Sequence, residues 1–175
     1  MYKKNAKKDQ FRDALIICMR TKSFSDVTIS DLSRVSNVSR VTFYRYFSNT
    51  TDVLEYLCDS LFEETEGMDE LKLSRDDSFV ISLLQYLMER SELLDAIYRS
   101  RRIDLFEKSM ARHVNKVSSD LLPELSELEQ QYITAAYPAA FSAAFASIIS
   151  VWAQNGKKET PHDILRIFKN DLIHL

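Results

Sequence analysis

The chain has 175 residues, of which 45% are hydrophobic and 28% charged, values typical of one globular domain or of two small domains that share a core. This composition excludes a mainly disordered chain. Only 2 Gly and 3 Pro are present, whereas sheet-rich folds and glycine-rich phosphate loops need more turn glycines. The composition therefore predicts an all-α fold.

The formal net charge of −3 is distributed unevenly along the chain. Residues 1–50 contain ten Lys or Arg against four Asp, a net charge of +6 that leaves −9 for the remainder. A basic N-terminal segment attracts a polyanion, and an acidic body repels one. A solvated basic face would have the same composition, so charge alone leaves both interpretations open.

Nothing in the sequence indicates catalysis, a metal site or a cofactor. Cys18 and Cys58 lie in apolar helical patterns without an activating neighbour, and the three histidines are scattered without metal-ligand spacing. The lysine-rich start has no apolar run after it, so we interpret it as a basic arm rather than a targeting signal. We therefore expect a cytoplasmic protein with reduced core thiols that is not an enzyme.

Residues 130–156 contain no charged side chain, which raises the question of a membrane span. The segment also contains Ser, Thr, many Ala and Pro138, a composition that favours a buried helix over a spanning one. We expect Pro138 to kink this helix and expect no membrane partner.

Near the N-terminus, the spacing of apolar residues predicts a first helix over residues 8–22. Thr28 and Asp31 have the spacing of a capping box at the start of a short second helix. Asn37 suits a left-handed turn, and Ser39 is placed to cap a third helix through about Tyr46. This order is the outline of a helix-turn-helix unit, although other three-helix packings have the same periodicity.

The side chains of this unit resemble those of the N-terminal domain of TetR-family transcriptional regulators. The resemblance rests on the segments 28–33, 38–47 and 52–54, is ungapped over residues 8–57, and is most specific in the Thr-Phe-Tyr-x-Tyr-Phe run at 42–47. It implies a helix-turn-helix domain over residues 1–49 and a helical effector-binding and dimerisation domain over residues 50–175. The chain departs from the family pattern in having Asn37 and Val41 where Gly is frequent, and Thr50 where a phosphate-binding Lys is frequent.

The resemblance implies that the third helix reads double-stranded DNA in the major groove, with its leading residues toward base edges. Arg40 suits a bidentate bond to guanine or, with equal weight, a phosphate contact. Tyr44 and Tyr46 would bind phosphates, although partial burial in the head would explain them too. The predicted DNA-binding residues are Thr28, Ser39, Arg40, Val41, Thr42, Tyr44, Arg45, Tyr46 and Thr50.

The end of the chain resembles the closing helix pair of such regulators. Asn155 and Gly156 would end one helix, and Thr160 would cap the next, with Pro161 at its first position. In the family this pair forms a four-helix interface between two copies, which suits a palindromic operator; a purely intramolecular core is the alternative. The predicted interface residues are Ala140, Ala144, Ile148, Trp152, Ile164 and Phe168.

Bodies of this family commonly hold an apolar effector cavity. The side chains placed to line one are Tyr86, Tyr98, Phe106, Met110, Tyr137 and Phe141, although ordinary core packing fits the same pattern. The resulting expectation is a homodimeric repressor that binds a palindromic operator and is released by a small molecule. The alternative keeps the DNA-binding head and assigns the body to a protein partner rather than a small ligand, in an activator or nucleoid-associated role.

Overall fold

The computed structural model describes residues 5–63, 77–118, 126–167 and Lys169. Within this part of the chain the structure is all-helical and contains no strand, which confirms the predicted fold class. The α-helices of these described residues are α1 Ala6–Met19, α2 Ile29–Ser36, α3 Arg40–Phe43, α4 Thr50–Glu63, α5 Ser78–Glu89, α6 Ser91–Arg99, α7 Ile103–Ser118, α8 Glu127–Ala135, α9 Tyr137–Gln154 and α10 Pro161–Ile167.

Local capping sets the geometry of the helix-turn-helix unit formed by α2 and α3. The Thr28 hydroxyl accepts from the Asp31 N–H at 3.1 Å, and the Asp31 carboxylate accepts from the Thr28 N–H at 3.1 Å, so the predicted capping box is confirmed. Asn37 ends α2 in the left-handed region with φ 54°. The N–H of Val38 donates to the carbonyl of Ser33 at 3.2 Å, the closing bond of a Schellman turn.

An aromatic cluster joins α3 to α1 and α4. Phe11 of α1 meets Phe43 and Phe47 edge-on, at ring-centroid distances of 5.1 and 6.1 Å, and all three side chains are buried. Tyr56 of α4 lies 5.8 Å from Phe47. Edge-to-face aromatic pairs of this kind add to the free energy of burial and fix ring orientation, so the cluster holds α3 in one position.

Three predicted boundaries in the head were wrong, because α1 runs over Ala6–Met19 rather than residues 8–22 and α3 ends before Tyr46. α1 begins at Ala6 because the Asn5 side chain caps the N–H groups of Lys7 and Lys8, so these two lysines are helical rather than part of a loose arm. The Lys8 ammonium lies 5.2 Å from the centre of the Tyr56 ring. α3 ends at Phe43, and residues 44–46 continue as turns rather than as a helix.

Helix α4 belongs to both the head and the body, because it packs on α1 and on α7. On the head side, the Tyr56 hydroxyl donates to the Asp9 carboxylate at 2.9 Å. On the body side, the Asp59 carboxylate accepts from the Ser109 hydroxyl at 2.5 Å and from the Arg112 guanidinium. α4 therefore contacts both the aromatic cluster that holds α3 and the helices of the body.

The body is built around α7, which packs between α4 and α9, while α10 packs on α5. Phe106 and Met110 of α7 are almost completely buried, and the ring of Phe106 lies 5.5 Å from that of Phe62 in α4. Phe145 brings α9 into the same core. The core of the described residues therefore runs without interruption from the head into the body.

The uncharged segment at 130–156 forms two helices rather than one. They meet at Ala136, and Pro138 lies in the first turn of α9, where its missing N–H is tolerated. α9 ends at Gln154 and is followed by Gly156 with φ 84°; the Lys157 N–H donates to the Trp152 carbonyl at 3.0 Å, as predicted for a glycine-terminated helix. No helix among the described residues is long and apolar enough to cross a membrane.

Candidate nucleic-acid interface

The leading turn of α3 is fixed by its own cap and points its side chains outward. The Ser39 hydroxyl oxygen accepts from the Thr42 N–H at 3.1 Å and lies 2.9 Å from the Thr42 hydroxyl. Val41 is 71% exposed, an unusual position for a β-branched apolar side chain. A thymine methyl group in a major groove would be a suitable partner for it.

Arg40 lies at the first helical position of α3 and is exposed. Its guanidinium donates to the hydroxyl of Ser30 in α2. This contact lays the side chain across the gap between the two helices. Since a guanidinium carries five N–H donors, the contact with Ser30 leaves others for a base edge or a phosphate. The geometry is compatible with both of the predicted roles of Arg40.

The aromatic run that follows divides into two sets. Phe43 and Phe47 are buried in the head, whereas Tyr44 and Tyr46 are 62% and 37% exposed. The exposure of Tyr44 weakens the interpretation that it fills the head by partial burial, whereas Tyr46 is partly buried and fits both interpretations. Hydroxyl groups at such positions can donate to phosphates and so fix the register of a protein on a duplex.

The Thr28 hydroxyl has a structural role that limits its use as a phosphate donor. It donates to the Asp31 carboxylate at 2.8 Å, so the proton that a phosphate would accept is already engaged. Asp31 also accepts from Lys22 at 2.9 Å and from Arg34 at 3.3 Å. These hydrogen bonds, that from Lys22 first, hold the pKa of Asp31 well below its usual range. The carboxylate therefore stays charged and keeps α2 capped.

The remaining predicted contacts lie on the turn after α3 and at the start of α4. Arg45 is exposed and Thr50 is half-buried. The start of α4 is set by Asn49, whose side chain accepts from the Asp52 N–H at 3.1 Å, while Asp52 accepts from the Ser48 N–H at 2.7 Å. The family's frequent phosphate-binding lysine would stand at the position of Thr50, and in this chain Asp52 places a negative charge two residues after that position. The substitution of Lys by Thr50 therefore leaves Arg45 as the cation nearest in sequence to this turn.

Two contributors to this surface were not predicted. Ser30 lies in a segment that resembles the family, and its hydroxyl accepts a hydrogen bond from Arg40. Lys22 lies outside the helix-turn-helix unit and binds the Asp31 carboxylate. Neither contact has a local sequence signal, because the partners are nine and ten residues apart on different elements.

The predicted interface residues gather at an open apolar groove between α9 and α10. The groove has a volume of about 420 Å³. Four of the six predicted residues line it, namely Ala144, Ile148, Trp152 and Ile164. Ala140 is exposed on the preceding turn of α9, and Phe168 lies outside the described residues. Val151 is 55% exposed at the groove, an apolar surface that a second helix pair would cover.

The predicted effector residues are not gathered in the same way. Phe106 and Met110 are in the closed core, Phe141 is half-buried, and Tyr98 is 39% exposed at the end of α6. Tyr86 borders a small cavity of about 90 Å³ between α1, α4, α5 and α6. The side chain of Tyr137 lies outside the described residues. Phe106 and Met110 would contact an effector only if the body opened.

The cysteines contribute packing to the head and α4. Both are buried and free, and burial raises the pKa of the Cys58 thiol, which makes it a poor nucleophile. In the part of the chain that the structure describes, no group of three or more His, Cys, Asp or Glu side chains is placed to hold a metal ion.

A capped helix-turn-helix with an exposed, arginine-bearing second helix belongs to the class of DNA-binding regulators that read the major groove. Two family models match the chain: "Bacterial regulatory proteins, tetR family" over residues 12–57, and "Transcriptional regulator C-terminal region" over residues 76–173. The second match covers more than half of the chain. The chain belongs to the TetR family of transcriptional regulators.

Solved structures share this fold at low sequence identity. Lin0861 from Listeria innocua superimposes with a TM-score of 0.77 at 19% identity, over 97% of this chain and 92% of that one. The dihydroxyacetone kinase operon activator DhaS gives a TM-score of 0.58 at 19% identity, over 92% of this chain and 89% of that one. No curated protein matches the sequence. At such identities these structures show the fold alone.

Proposed function

We propose that this chain is a homodimeric, sequence-specific repressor that binds a palindromic operator and is released by a small-molecule effector. In this proposal residues 1–49 are the DNA-binding head, and residues 50–175 are the effector-binding and dimerisation body. The protein acts in the cytoplasm without enzymatic activity. The observation that carries the proposal is the exposed leading turn of α3, which Ser39 caps and in which both Arg40 and Val41 are exposed.

The coupling between effector and operator is assigned to α4. It binds α1 through Tyr56 and Asp9, and α7 through Asp59 and Ser109. Phe106, a proposed effector residue, packs on Phe62 of the same helix. An effector that separates these two rings would displace α4 and thereby change the distance between the two heads of a dimer. Such a ligand acts only through a difference in affinity for the two states.

A transcription assay tests the direction of regulation. Run-off transcription from the gene's own upstream region should fall as the protein is added. It should recover when an apolar compound that acts as the effector is added. An Arg40→Ala protein is the matched control, because it keeps the body intact. Transcription that is unaffected by the wild-type protein on every operator it binds would contradict the repressor assignment.

The second candidate is an activator whose body binds a protein partner. It is favoured by one finding, the fold shared with DhaS, which is named as an operon activator. In this case the same run-off assay would show transcription rising with protein concentration. Small apolar compounds would then leave the melting temperature of the protein unchanged, because no cavity opens to bind them.

A further inference from the structure

The turn between α6 and α7 is the one place after residue 50 where three basic side chains occur within four residues, namely Arg99, Arg101 and Arg102. Residues 51–175 as a whole carry a net charge of −9. Arg99 and Arg101 are exposed, and Tyr98 beside them is 39% exposed. Residues 98–102, called the basic turn below, are therefore a cationic patch on an acidic body.

The backbone of the basic turn is held in one conformation. The side chain of Ser100 is buried, and its hydroxyl donates to the Ile97 carbonyl while it accepts from the Arg102 N–H at 3.0 Å. The Arg101 N–H donates to the Tyr98 carbonyl at 3.1 Å, and Arg101 lies in the left-handed region with φ 57°. A fixed backbone lowers the entropy cost of placing these side chains on a binding partner.

Two of the three arginines have no carboxylate partner among the described residues. Arg102 is neutralised by Asp104, to which its guanidinium donates at 2.8 and 3.1 Å. Arg99 donates from Nε to the backbone carbonyl of Asp95 at 3.2 Å, which leaves its charge unpaired. No hydrogen bond or ion pair joins the side chain of Arg101 to another residue that the structure describes. Arg99 and Arg101 are therefore available to an anionic partner.

The basic turn lies on the side of the body that is next to the head. Arg102 interacts electrostatically with Glu55 in the second turn of α4. Glu55 precedes Tyr56, which belongs to the aromatic cluster of the head, and it is about 8 Å of helix from Thr50 at the start of α4. α6, which ends at the basic turn, also packs on α1.

We propose that the basic turn is a second DNA contact, in which Arg101 and Arg99 bind phosphates of the duplex that α3 reads. This inference rests on DNA binding by the head and adds a contact from the body. A guanidinium matches the geometry of a phosphate, and an exposed tyrosine hydroxyl can donate to one. The same pair of side-chain types, Tyr44 and Arg45, follows α3 in the head.

The partner that suits the basic turn best is a polyanion. Cations on an open surface gain affinity for DNA chiefly because bound phosphates release their counterions. The head already brings a duplex to this side of the molecule, so a second contact forms at a high effective concentration of phosphate. A duplex bound at both places would favour the arrangement of head and body in which both contacts form.

Fluorescence anisotropy of full-length variants over a series of salt concentrations tests the proposal. Each phosphate contact that is lost should make the slope of log affinity against log salt shallower by about 0.9. Arg101→Gln should weaken binding to upstream DNA and to scrambled DNA by the same factor, because a phosphate contact carries no sequence information. The double variant Arg99→Gln/Arg101→Gln should have a still shallower slope.

Lys169→Gln is the matched control, since it removes the same charge far from the head. Lys169 pairs with Asp77, which immediately precedes α5. The 12 residues of α5 separate Asp77 from Arg90, which borders a cavity with Arg12 of α1, by about 18 Å of helix. The salt slope of Lys169→Gln should equal that of the wild type.

Cleavage of the bound duplex gives an independent measurement of position. Cys18 and Cys58 are buried, so a thiol-reactive iron chelate should label an Arg101→Cys protein at residue 101 alone. The chelate should cut the backbone of bound DNA from residue 101, whereas the same chelate on Lys169→Cys should not. Absence of cleavage from residue 101 would overturn the proposal.

The salt slopes separate failure of this inference from failure of the DNA-binding head. If the wild type binds DNA and both glutamine variants keep its slope, the proposal is overturned, and the basic turn is left to another anion such as an acidic protein partner. If the wild type binds neither DNA even at low salt, the proposal and the DNA-binding head are overturned together.

Discussion

At the scale of single residues, polar contacts between neighbouring side chains hold the head in shape and leave the side chains on its outer surface available to bind DNA. Ser39 caps α3, Ser30 receives Arg40, and Asp31 collects donors from Thr28 and Lys22. The Ser30–Arg40 contact is exposed and contributes little to the free energy of folding, whereas the caps at Ser39 and Asp31 contribute more because they satisfy N–H groups at helix starts. Their effect is to position Arg40 and Val41 at the surface in a defined orientation.

The first prediction concerns Arg40. If its guanidinium reads guanine, Arg40→Ala should cost about 1–3 kcal/mol of binding free energy at one base position and relax the preference there. Fluorescence anisotropy on a set of operators changed at single positions measures this. Arg45→Ala is the control, because the loss of a phosphate contact should weaken binding to all DNA sequences equally. A uniform loss for Arg40→Ala would make it a phosphate contact as well.

The second prediction concerns the acid stability of the head. Because the folded pKa of Asp31 lies below the unfolded value of about 3.9, its ionised form stabilises the fold above that pH. The contribution is lost as the pH falls below about 4 toward the lowered folded pKa. Asp31→Asn should therefore reduce the free energy of unfolding at pH 7 and make it less dependent on pH between 5 and 3.

Urea unfolding at several pH values measures this effect. Asp26→Asn removes the same charge from the neighbouring turn outside the capping box, and it should leave the steepness of the acid limb close to that of the wild type. An acid limb that is as steep in Asp31→Asn as in the wild type would contradict the role assigned to the capping box.

At the scale of elements, the turn between α2 and α3 depends on the left-handed backbone of Asn37. A residue with a Cβ pays a steric penalty in this region, and Asn pays less than most because its side chain bonds locally. The family's frequent Gly at this position has the same physical reason. The left-handed conformation of Asn37 therefore lets the chain turn sharply between α2 and α3.

The third prediction is a series at this turn. Asn37→Ala should lower the free energy of unfolding by about 1 kcal/mol, because Ala has the steric penalty without the local bond. Asn37→Gly should change it by less than about 0.5 kcal/mol, because lower strain is offset by greater freedom of the unfolded chain. Urea unfolding of both variants measures the series. If both variants changed the free energy of unfolding by the same amount, the left-handed backbone at residue 37 would not be the source of the effect.

The elements that the sequence predicted well are those with local signals. The caps at Thr28, Ser39 and Thr160 and the glycine stop at Gly156 depend on residues within five positions, and the structure has all four. The division of α8 from α9 was missed, because Pro138 permits either a kink or a new first turn. The exposure of Leu128 could not be predicted, since it depends on which helices lie above α8.

At the scale of the whole molecule, the head and body are joined by contacts between residues far apart in sequence. Arg20 at the end of α1 binds Glu92 of α6, and Tyr56 binds Asp9. No pattern within one helix predicts such pairs, because they arise only when the helices pack. The ion pair is exposed on both sides, so its expected contribution to stability is under about 1 kcal/mol. Because it joins the end of α1 to α6, the ion pair helps to fix the position of the head relative to the body.

The division of charge is also a property of the whole molecule. Residues 1–50, which are net basic, contain the leading turn of α3, and the net acidic remainder contains the α9–α10 groove. A polyanion is therefore attracted to one end of the protein and repelled by the other. Binding to DNA should consequently be oriented as well as dependent on salt.

The measurement that tests the central claim most directly is fluorescence anisotropy of the full-length protein on DNA from its own upstream region, against scrambled DNA, over a series of salt concentrations. The claim predicts selective binding by a dimer, with an affinity that falls steeply as salt rises because counterions are released from phosphates. Absence of binding to either DNA, even at low salt, would contradict the assignment of α3 as a DNA-reading helix.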